Sequence, residues 1–268
     1  MALLIPMEDV ADRRLEEFAR LRDSQLRTRL ETERGLFVAE GEKIIRRAVE
    51  AGCRPSAFLL TPRWRTTLVD VLDGFPDVPC YVGTEAMIEA VSGFHVHRGA
   101  LGTFHRPAPP SWAELLATDR LVVTQGLVDH ANLGSIVRIA AALGWGGLVV
   151  SETCADPLYR RSIKASMGSA LQLPWRRMDD DTTDLRRIRE AGFTLVATTL
   201  GDDAVPLETV PPGGRLALLL GNEGHGLPDA WQREADVRVT IPMARGVDSL
   251  NVAAAAAICA YELRPTAP

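Results

Sequence analysis

Three short stretches of this chain carry residue types suited to holding a ligand. Gly221-Asn222-Glu223-Gly224-His225-Gly226 contains three glycines, which permit positive φ and let a ligand approach the backbone closely. It directly follows Leu216–Leu220, an apolar run with the signature of a buried strand. Ile241-Pro242-Met243, followed by Ser249-Leu250-Asn251-Val252, ends one strand and opens a helix. Pro242 stops ladder hydrogen bonding and Asp248 or Ser249 can cap the helix, so the intervening loop can offer backbone amides and carbonyls to a ligand. In Asn132-x-Gly134-x-x-x-Arg138, the helical spacing of Ile136, Ile139, Ala140 and Leu143 defines a core stripe, with Gly144 as C′ residue. Arg138 lies two positions past Ile136, about 200° round the helix, and so points away from that stripe.

Each stretch also has an ordinary reading. A glycine-rich turn after a strand, a solvated arginine, Ile241 and Leu250 as core, and Asn or Ser as turn and cap residues are all common. The glycine stretch is not the dinucleotide fingerprint, because its spacing is not G-x-G-x-x-G and it lies late in the chain.

The elements that position these stretches alternate. Arg106-Pro-Ala-Pro-Pro-Ser111 is the densest proline run and suits an extended linker, which divides the chain into residues 1–106 and 107–268. Before it, Asp12 to about Glu33 reads as one mixed-charge helix with Leu15, Phe18, Ala19, Leu26 and Leu30 as its stripe. Strands at Leu36–Ala39, Ala57–Leu60 and Pro79–Val82 follow, with helices near 42–51 and 67–72 between them, giving a small α/β domain. After it, strands near Leu121–Thr124, Leu148–Ser151, Thr194–Thr199, Leu216–Leu220 and Val237–Ile241 alternate with helical segments. That pattern predicts a parallel sheet covered on both faces, with ligands at the strand carboxyl ends. Ala253–Ala260 is apolar nearly all round, which predicts a helix buried on most faces.

In order and spacing, Asn132-x-Gly134-x-x-x-Arg138, Gly221-x-Glu223-x-x-Gly226 and Ile241-Pro-Met243…Ser249-Leu-Asn251-Val252 resemble the three motifs of the SpoU/TrmH-type RNA ribose 2′-O-methyltransferases of the SPOUT superfamily. Phe37-Val-Ala-Glu-Gly41 resembles the start of that family's ribosomal-protein-like substrate-binding domain. The resemblance implies a C-terminal parallel-sheet domain with a deep trefoil knot and an N-terminal RNA-binding domain. It also implies a homodimer and S-adenosylmethionine held around Thr199, Leu200, Gly201, Gly221, Asn222, Gly224, Ile241, Met243 and Leu250. In it Arg138 is the catalytic arginine, with Asn132, Ser249 and Asn251 orienting it and the ribose, and with Glu223 fixing the loop or an arginine. Arg160, Arg161 and Lys164 fall in a stretch resembling the family's active-site mouth and are candidates for RNA phosphates, although a solvated basic face is nearly as good a reading. One departure is Ala253, where the family often has serine; it removes one hydroxyl near the pocket.

Composition bounds these readings. A hydrophobic content of 46% and a charged content of 24% are those of a globular protein able to bury two modest cores. The net charge of −5 argues against strong non-specific nucleic-acid binding, so any RNA contact must come from local patches. Cys53, Cys80, Cys154 and Cys259 are scattered without metal-ligand spacing and read as buried thiols in a reducing cytosol. His95-Val-His97 lacks nearby carboxylates, so no metal is expected. No secretory or membrane-spanning signal is present, and a cytoplasmic enzyme is expected. Ribosomal RNA is favoured over transfer RNA because the domain before the linker suits a large structured target. The alternatives are a transfer-RNA 2′-O-methyltransferase, a non-catalytic RNA-binding or ribosome-assembly protein on the same fold, and a nucleotide-dependent oxidoreductase that lacks its glycine fingerprint.

Overall fold

The computed structural model describes residues 2–21, 23, 31–94, 99–201, 203–211 and 213–265. They form two compact units. The first runs to Ala108 and takes in Leu158–Lys164; the second holds Pro109–Pro157 and the chain from Ala165 onward. Among the described residues, no helix is long and apolar enough to cross a membrane.

The first unit carries a five-stranded sheet of β1 (Leu3–Pro6), β2 (Leu36–Glu40), β3 (Pro55–Leu60), β4 (Pro79–Val82) and β5 (Ala100–His105), ordered β1-β4-β3-β5-β2. β1, β3 and β4 run parallel, whereas β5 is antiparallel to both β3 and β2. The strands expected near 36–39, 57–60 and 79–82 are present. β1 and β5 are additions: β1 is a four-residue edge strand ending at Pro6, and Gly102 weakens the strand signal of β5. Helices occupy Glu42–Glu50, Pro62–Thr67, Val69–Asp73 and Glu85–Ser92. The single helix expected from Asp12 to Glu33 is not formed. Asp12 caps a short 3-10 turn, Arg13–Phe18, that buries Leu15 and Phe18, and the chain leaves it at Ala19 in an extended conformation. Residues 22 and 24–30 of that expected helix lie outside the described residues, as do His95 and His97. Among the described residues, no cluster of side chains could hold a metal ion.

The second unit carries seven strands, all parallel: β6 (Arg120–Thr124), β7 (Gly147–Val150), β8 (Trp175–Arg177), β9 (Phe193–Thr198), β10 (Val205–Pro206), β11 (Arg215–Leu220) and β12 (Val237–Thr240). Their order is β10-β12-β9-β11-β6-β7-β8. β8 and β10, three and two residues long, are too short to leave a pattern in the sequence. The His130–Ala142 and Val252–Glu262 helices cover one face, over a core that includes Val122, Leu133, Ile136, Leu218 and Cys259. The other face packs Leu185, Ile188 and Trp231 against Leu121, Leu195 and Leu219. Successive strands β6, β7 and β8 run toward one edge, and β9 and β12 lie on the other side with β11 inserted beside β6. This reversal of strand order is where open parallel sheets present a crevice at their carboxyl ends.

The last helix departs from expectation. Ala256, Cys259 and Ala260 are buried, but Ile258 is 42% and Tyr261 56% exposed. One side packs on the His130–Ala142 helix and β11. Trp145 Nε1 donates to the Ala260 carbonyl at 3.0 Å and Arg120 Nε to the Leu263 carbonyl at 2.6 Å. The opposite side is apolar yet open to solvent. Burial pushes the Cys259 thiol up to about 12.

Candidate active site at the carboxyl ends of four parallel strands

The stretches singled out in the sequence leave β6, β9, β11 and β12, four neighbouring strands of one sheet. Residues after β9, β11 and β12 line a cleft of about 530 Å³. Thr199, Leu200 and Gly201, then Gly221, Asn222, Glu223 and Gly224, then Ile241, Met243, Ser249 and Leu250 all contribute to its wall. Cys259 and Ala255 of the last helix complete it.

Gly221 is where backbone crowds backbone. A Cβ there would lie 2.4 Å from the Gly226 carbonyl carbon and the Leu227 nitrogen, so any other residue would push the loop open. The loop is closed by a bridge between Asn222 and Gly226. The Asn222 side chain then holds it from both ends: Oδ1 accepts from the Gly224 and His225 amides at 2.8 and 3.1 Å, and Nδ2 donates to the Gly126 carbonyl at 2.7 Å. Asn222 therefore spends its side chain on the loop and offers the cleft its surface alone.

Gly126 belongs to the turn after β6, which is itself held from behind. Its amide donates to Ser151 Oγ at 3.1 Å and the Leu127 amide to Cys154 Sγ at 3.3 Å. Arg177 Nη1 donates to the carbonyls of Ser151, Glu152 and Cys154 at 2.7–3.0 Å, fixing the turn that carries both side chains. The sequence reading missed Arg177 and the Asn222–Gly126 tie, and no local signal could have revealed contacts so distant along the chain.

Beyond that turn Asp129 caps the His130–Ala142 helix, accepting from the Asn132 amide at 2.8 Å. Asn132 Nδ2 donates to Glu223 Oε1 at 2.8 Å, and Asn251 Nδ2 donates to Asn132 Oδ1 at 3.1 Å. Three side chains from three motifs thus form one directional chain that ends on a carboxylate. Glu223 holds an asparagine and not an arginine. Its second oxygen has no hydrogen-bond partner among the described residues and can accept one from a bound hydroxyl. Asn251 also caps the last helix, its Oδ1 accepting from the Ala253 and Ala254 amides at 2.9 and 3.4 Å, a role the sequence reading gave to Asp248 or Ser249. Asparagine immediately before an apolar helix was the available signal.

Arg138 is exposed and has neither a hydrogen bond nor an ion pair among the described residues. It stands off the stripe formed by Ile136, Val137 and Ala140, as its spacing requires. Arg160 and Lys164 are placed otherwise. Arg160 is buried, donates to Glu40 Oε2 at 2.6 Å and lies 4.5 Å from the centroid of the Phe94 ring; Lys164 Nζ meets Glu40 Oε1 at 2.8 Å. Glu40 is itself buried on β2, and without these cations its charge would be unpaired. Arg160 is therefore a packing residue of the first unit and not a solvent-facing phosphate ligand, whereas Arg161 is exposed.

The comparisons with known proteins agree with this geometry. Residues 119–261, half the chain and every site element just described, match the model of the SpoU rRNA methylase family. The chain is 43% identical over 258 residues to a Mycobacterium bovis protein described as an uncharacterized tRNA/rRNA methyltransferase, covering 95% of this chain and 89% of that one. It is 27% identical to a 23S rRNA guanosine 2′-O-methyltransferase of Bacillus subtilis, over 96% of this chain and 98% of the other. Among solved structures, an AdoMet-bound rRNA methyltransferase from Sinorhizobium meliloti superposes with a TM-score of 0.83 at 25% identity, covering 97% of each chain. The SpoU methyltransferase AviRb from Streptomyces viridochromogenes, in complex with AdoMet, gives 0.80 at 26% identity over 94% of this chain and 97% of its own. With the three motifs gathered round one cleft and relatives matching along nearly the whole chain, the protein belongs to the SpoU rRNA methylase family.

Proposed function

We propose that this protein transfers a methyl group from S-adenosylmethionine to a ribose 2′-hydroxyl of ribosomal RNA. The observation that carries the reading is the Asn251–Asn132–Glu223 chain at the rim of a glycine-walled cleft, with an unpaired arginine on the same helix as Asn132. The cleft fits the cofactor. Leu220, Leu227, Ile241, Met243 and Leu250 provide apolar surface for a flat base, while the tight Gly221 turn exposes backbone groups for hydrogen bonding. When bound, S-adenosylmethionine supplies an activated methyl on a sulfonium.

The chain's own residues must then align a ribose hydroxyl and stabilise the charge that builds on its oxygen. A guanidinium has donors and no acceptor, so Arg138 serves as a clamp on an RNA phosphate and on that developing charge, not as a base. Asn132 is held from both sides and cannot swing, which fixes the position of Glu223. The free Glu223 oxygen accepts a hydrogen bond from the hydroxyl and orients the nucleophile, whose proton leaves to solvent as its oxygen takes the methyl and the sulfonium becomes a thioether. Ser249 lines the same cleft and contributes a further donor.

The insertion of β11 between β9 and β6, with the last helix returning across to the His130–Ala142 helix, suits a trefoil knot. The exposed Ile258 and Tyr261 face of the last helix suits a homodimer contact. Residues 1–106 form the substrate-binding part and 107–268 the methyltransferase part of a cytoplasmic enzyme. The test is incorporation of labelled methyl from S-adenosylmethionine into ribosomal RNA, with nucleoside mass spectrometry to identify a 2′-O-methyl product. A methylated base in place of a methylated ribose, or a mark confined to transfer RNA, would overturn the assignment.

A further inference from the structure

Two walls of the cleft come from paired strands, and a side chain outside the three motifs joins them beyond the sheet. β9 and β11 run side by side, and their ladder ends at Ala197 opposite Leu219. Thr198 Oγ1 adds one more tie, donating to the Leu219 carbonyl at 3.0 Å. Past that point one chain runs into Thr199, Leu200 and Gly201 and the other into the glycine loop, and both line the cleft. Gln232, on the short Asp229–Glu234 helix, reaches both. Its Nε2 donates to the Leu227 carbonyl at 2.9 Å, and its Oε1 accepts from Thr199 Oγ1 at 3.4 Å. Thr199 Oγ1 accepts in turn from the Gly201 amide at 3.2 Å. The direction of this chain is set by its ends. A carbonyl can only accept, so Leu227 takes the amide nitrogen of Gln232 and leaves the oxygen for Thr199. The Thr199 hydroxyl must then donate to Gln232, and its lone pair receives the Gly201 amide. The Leu227 nitrogen is one of the atoms that a Cβ at Gly221 would meet at 2.4 Å, so holding the Leu227 carbonyl holds the closing end of the glycine loop. Gln232 is half-buried, and the helix that carries it has its own anchor in Trp231, which is buried in the core with Leu195 and Leu219 and donates from Nε1 to Asp181 at 3.3 Å.

We propose that Gln232 is a positioning residue for S-adenosylmethionine: it locks the wall after β9 to the wall after β11 and so sets the affinity for the cofactor, acting through Thr199 and Leu227 and not on the reacting atoms. The proposal rests on the reading of this cleft as the S-adenosylmethionine site. A ligand that takes hydrogen bonds from two loops must order both as it binds, and a tie that already orders them removes that cost. Asn222 does this within one loop, whereas Gln232 does it between two.

The test uses the full chain, with S-adenosylmethionine affinity from calorimetric titration and methyl transfer to a large-subunit ribosomal RNA transcript measured separately. Gln232→Met fills the same space without either hydrogen bond, and should weaken S-adenosylmethionine binding about fivefold to thirtyfold. The cofactor KM should rise by a similar factor, while kcat at saturating cofactor and RNA stays at the wild-type value. Thr199→Val removes the other end of the same bond, and combining it with Gln232→Met should cost less than the product of the two single effects. Wild-type cofactor affinity in Gln232→Met, with or without a lower urea midpoint for the cofactor-free protein, would overturn the proposal, reduce Gln232 to a folding role and leave the cofactor reading intact. A fall in kcat with an unchanged cofactor KM, or single effects that multiply fully in the double variant, would also overturn it. A wild type that binds no S-adenosylmethionine would overturn the cofactor reading and the proposal with it.

Discussion

Two helices of this chain carry arginines that the sequence puts forward, Arg138 for catalysis and Arg160 for RNA phosphates, and the fold treats them in opposite ways. On His130–Ala142, Arg138 faces solvent with no partner among the described residues. On Arg160–Ala165, Arg160 is buried against Glu40 and Phe94. The deciding factor is the presence of a buried carboxylate. Glu40 lies on a fully buried strand, where an unpaired carboxylate is costly, and the strand's position leaves Arg160 and Lys164 as its partners. An unpaired exposed arginine keeps its full capacity for a phosphate, whereas a paired buried one supports a fold.

This contrast can be broken by substitution, and the largest effect should come from Arg160. Arg160→Met leaves Glu40 buried with only the half-exposed Lys164, and should cost the first unit about 3–5 kcal/mol in chemical denaturation. A loss below about 1 kcal/mol would show that Glu40 does not depend on Arg160. Arg138→Ala should do the reverse. Methyl transfer should fall about a hundredfold to a thousandfold, with thermal stability and calorimetric affinity for S-adenosylmethionine unchanged. Near-normal turnover would remove Arg138 from the mechanism.

A smaller effect is expected from loosening what Arg138 works beside. Asn132→Ala breaks the link between Asn251 and Glu223, and should lower kcat about tenfold to a hundredfold through misalignment, with little change in cofactor affinity. Equal damage to cofactor binding would instead make the chain a support for the cleft wall. The smallest change should follow Lys164→Ala. Its side chain is 53% exposed, so its pairing with Glu40 is screened by solvent, and stability should drop by less than about 1 kcal/mol. If RNA affinity fell sharply in that variant, Lys164 would have a ligand role that the ion pair conceals.

Within single elements the sequence was a sufficient guide. Period and composition located the buried strands of the second unit, and the spacing from Ile136 turned Arg138 outward, because side-chain direction along one helix follows from 3.6 residues per turn. Glycine at 221 marked a crowded turn for a similarly local reason, whereas the last helix is capped by Asn251 and not by the expected Asp248 or Ser249. Where elements were short, or where apolar side chains filled every face of a helix, the pattern failed: β8 and β10 went unseen, and the Ala253–Ala260 helix, expected to be buried on most faces, leaves Ile258 exposed.

What tertiary structure alone decided is which distant polar groups meet. Glu223 accepts from a residue 91 positions away, Asn251 donates across 119, and Arg160 reaches Glu40 across 120. Spacing along a chain carries no information about such pairings, because they depend on strand order and on which side chains each packed layer leaves unsatisfied. The sequence thus determined the residues that could do chemistry and the elements that carry them. Packing decided that Arg138 would be left free, that three motifs would join through two asparagines, and that Arg160 and Lys164 would be drawn to Glu40, since a buried charge must find its counter-charge wherever the fold brings one.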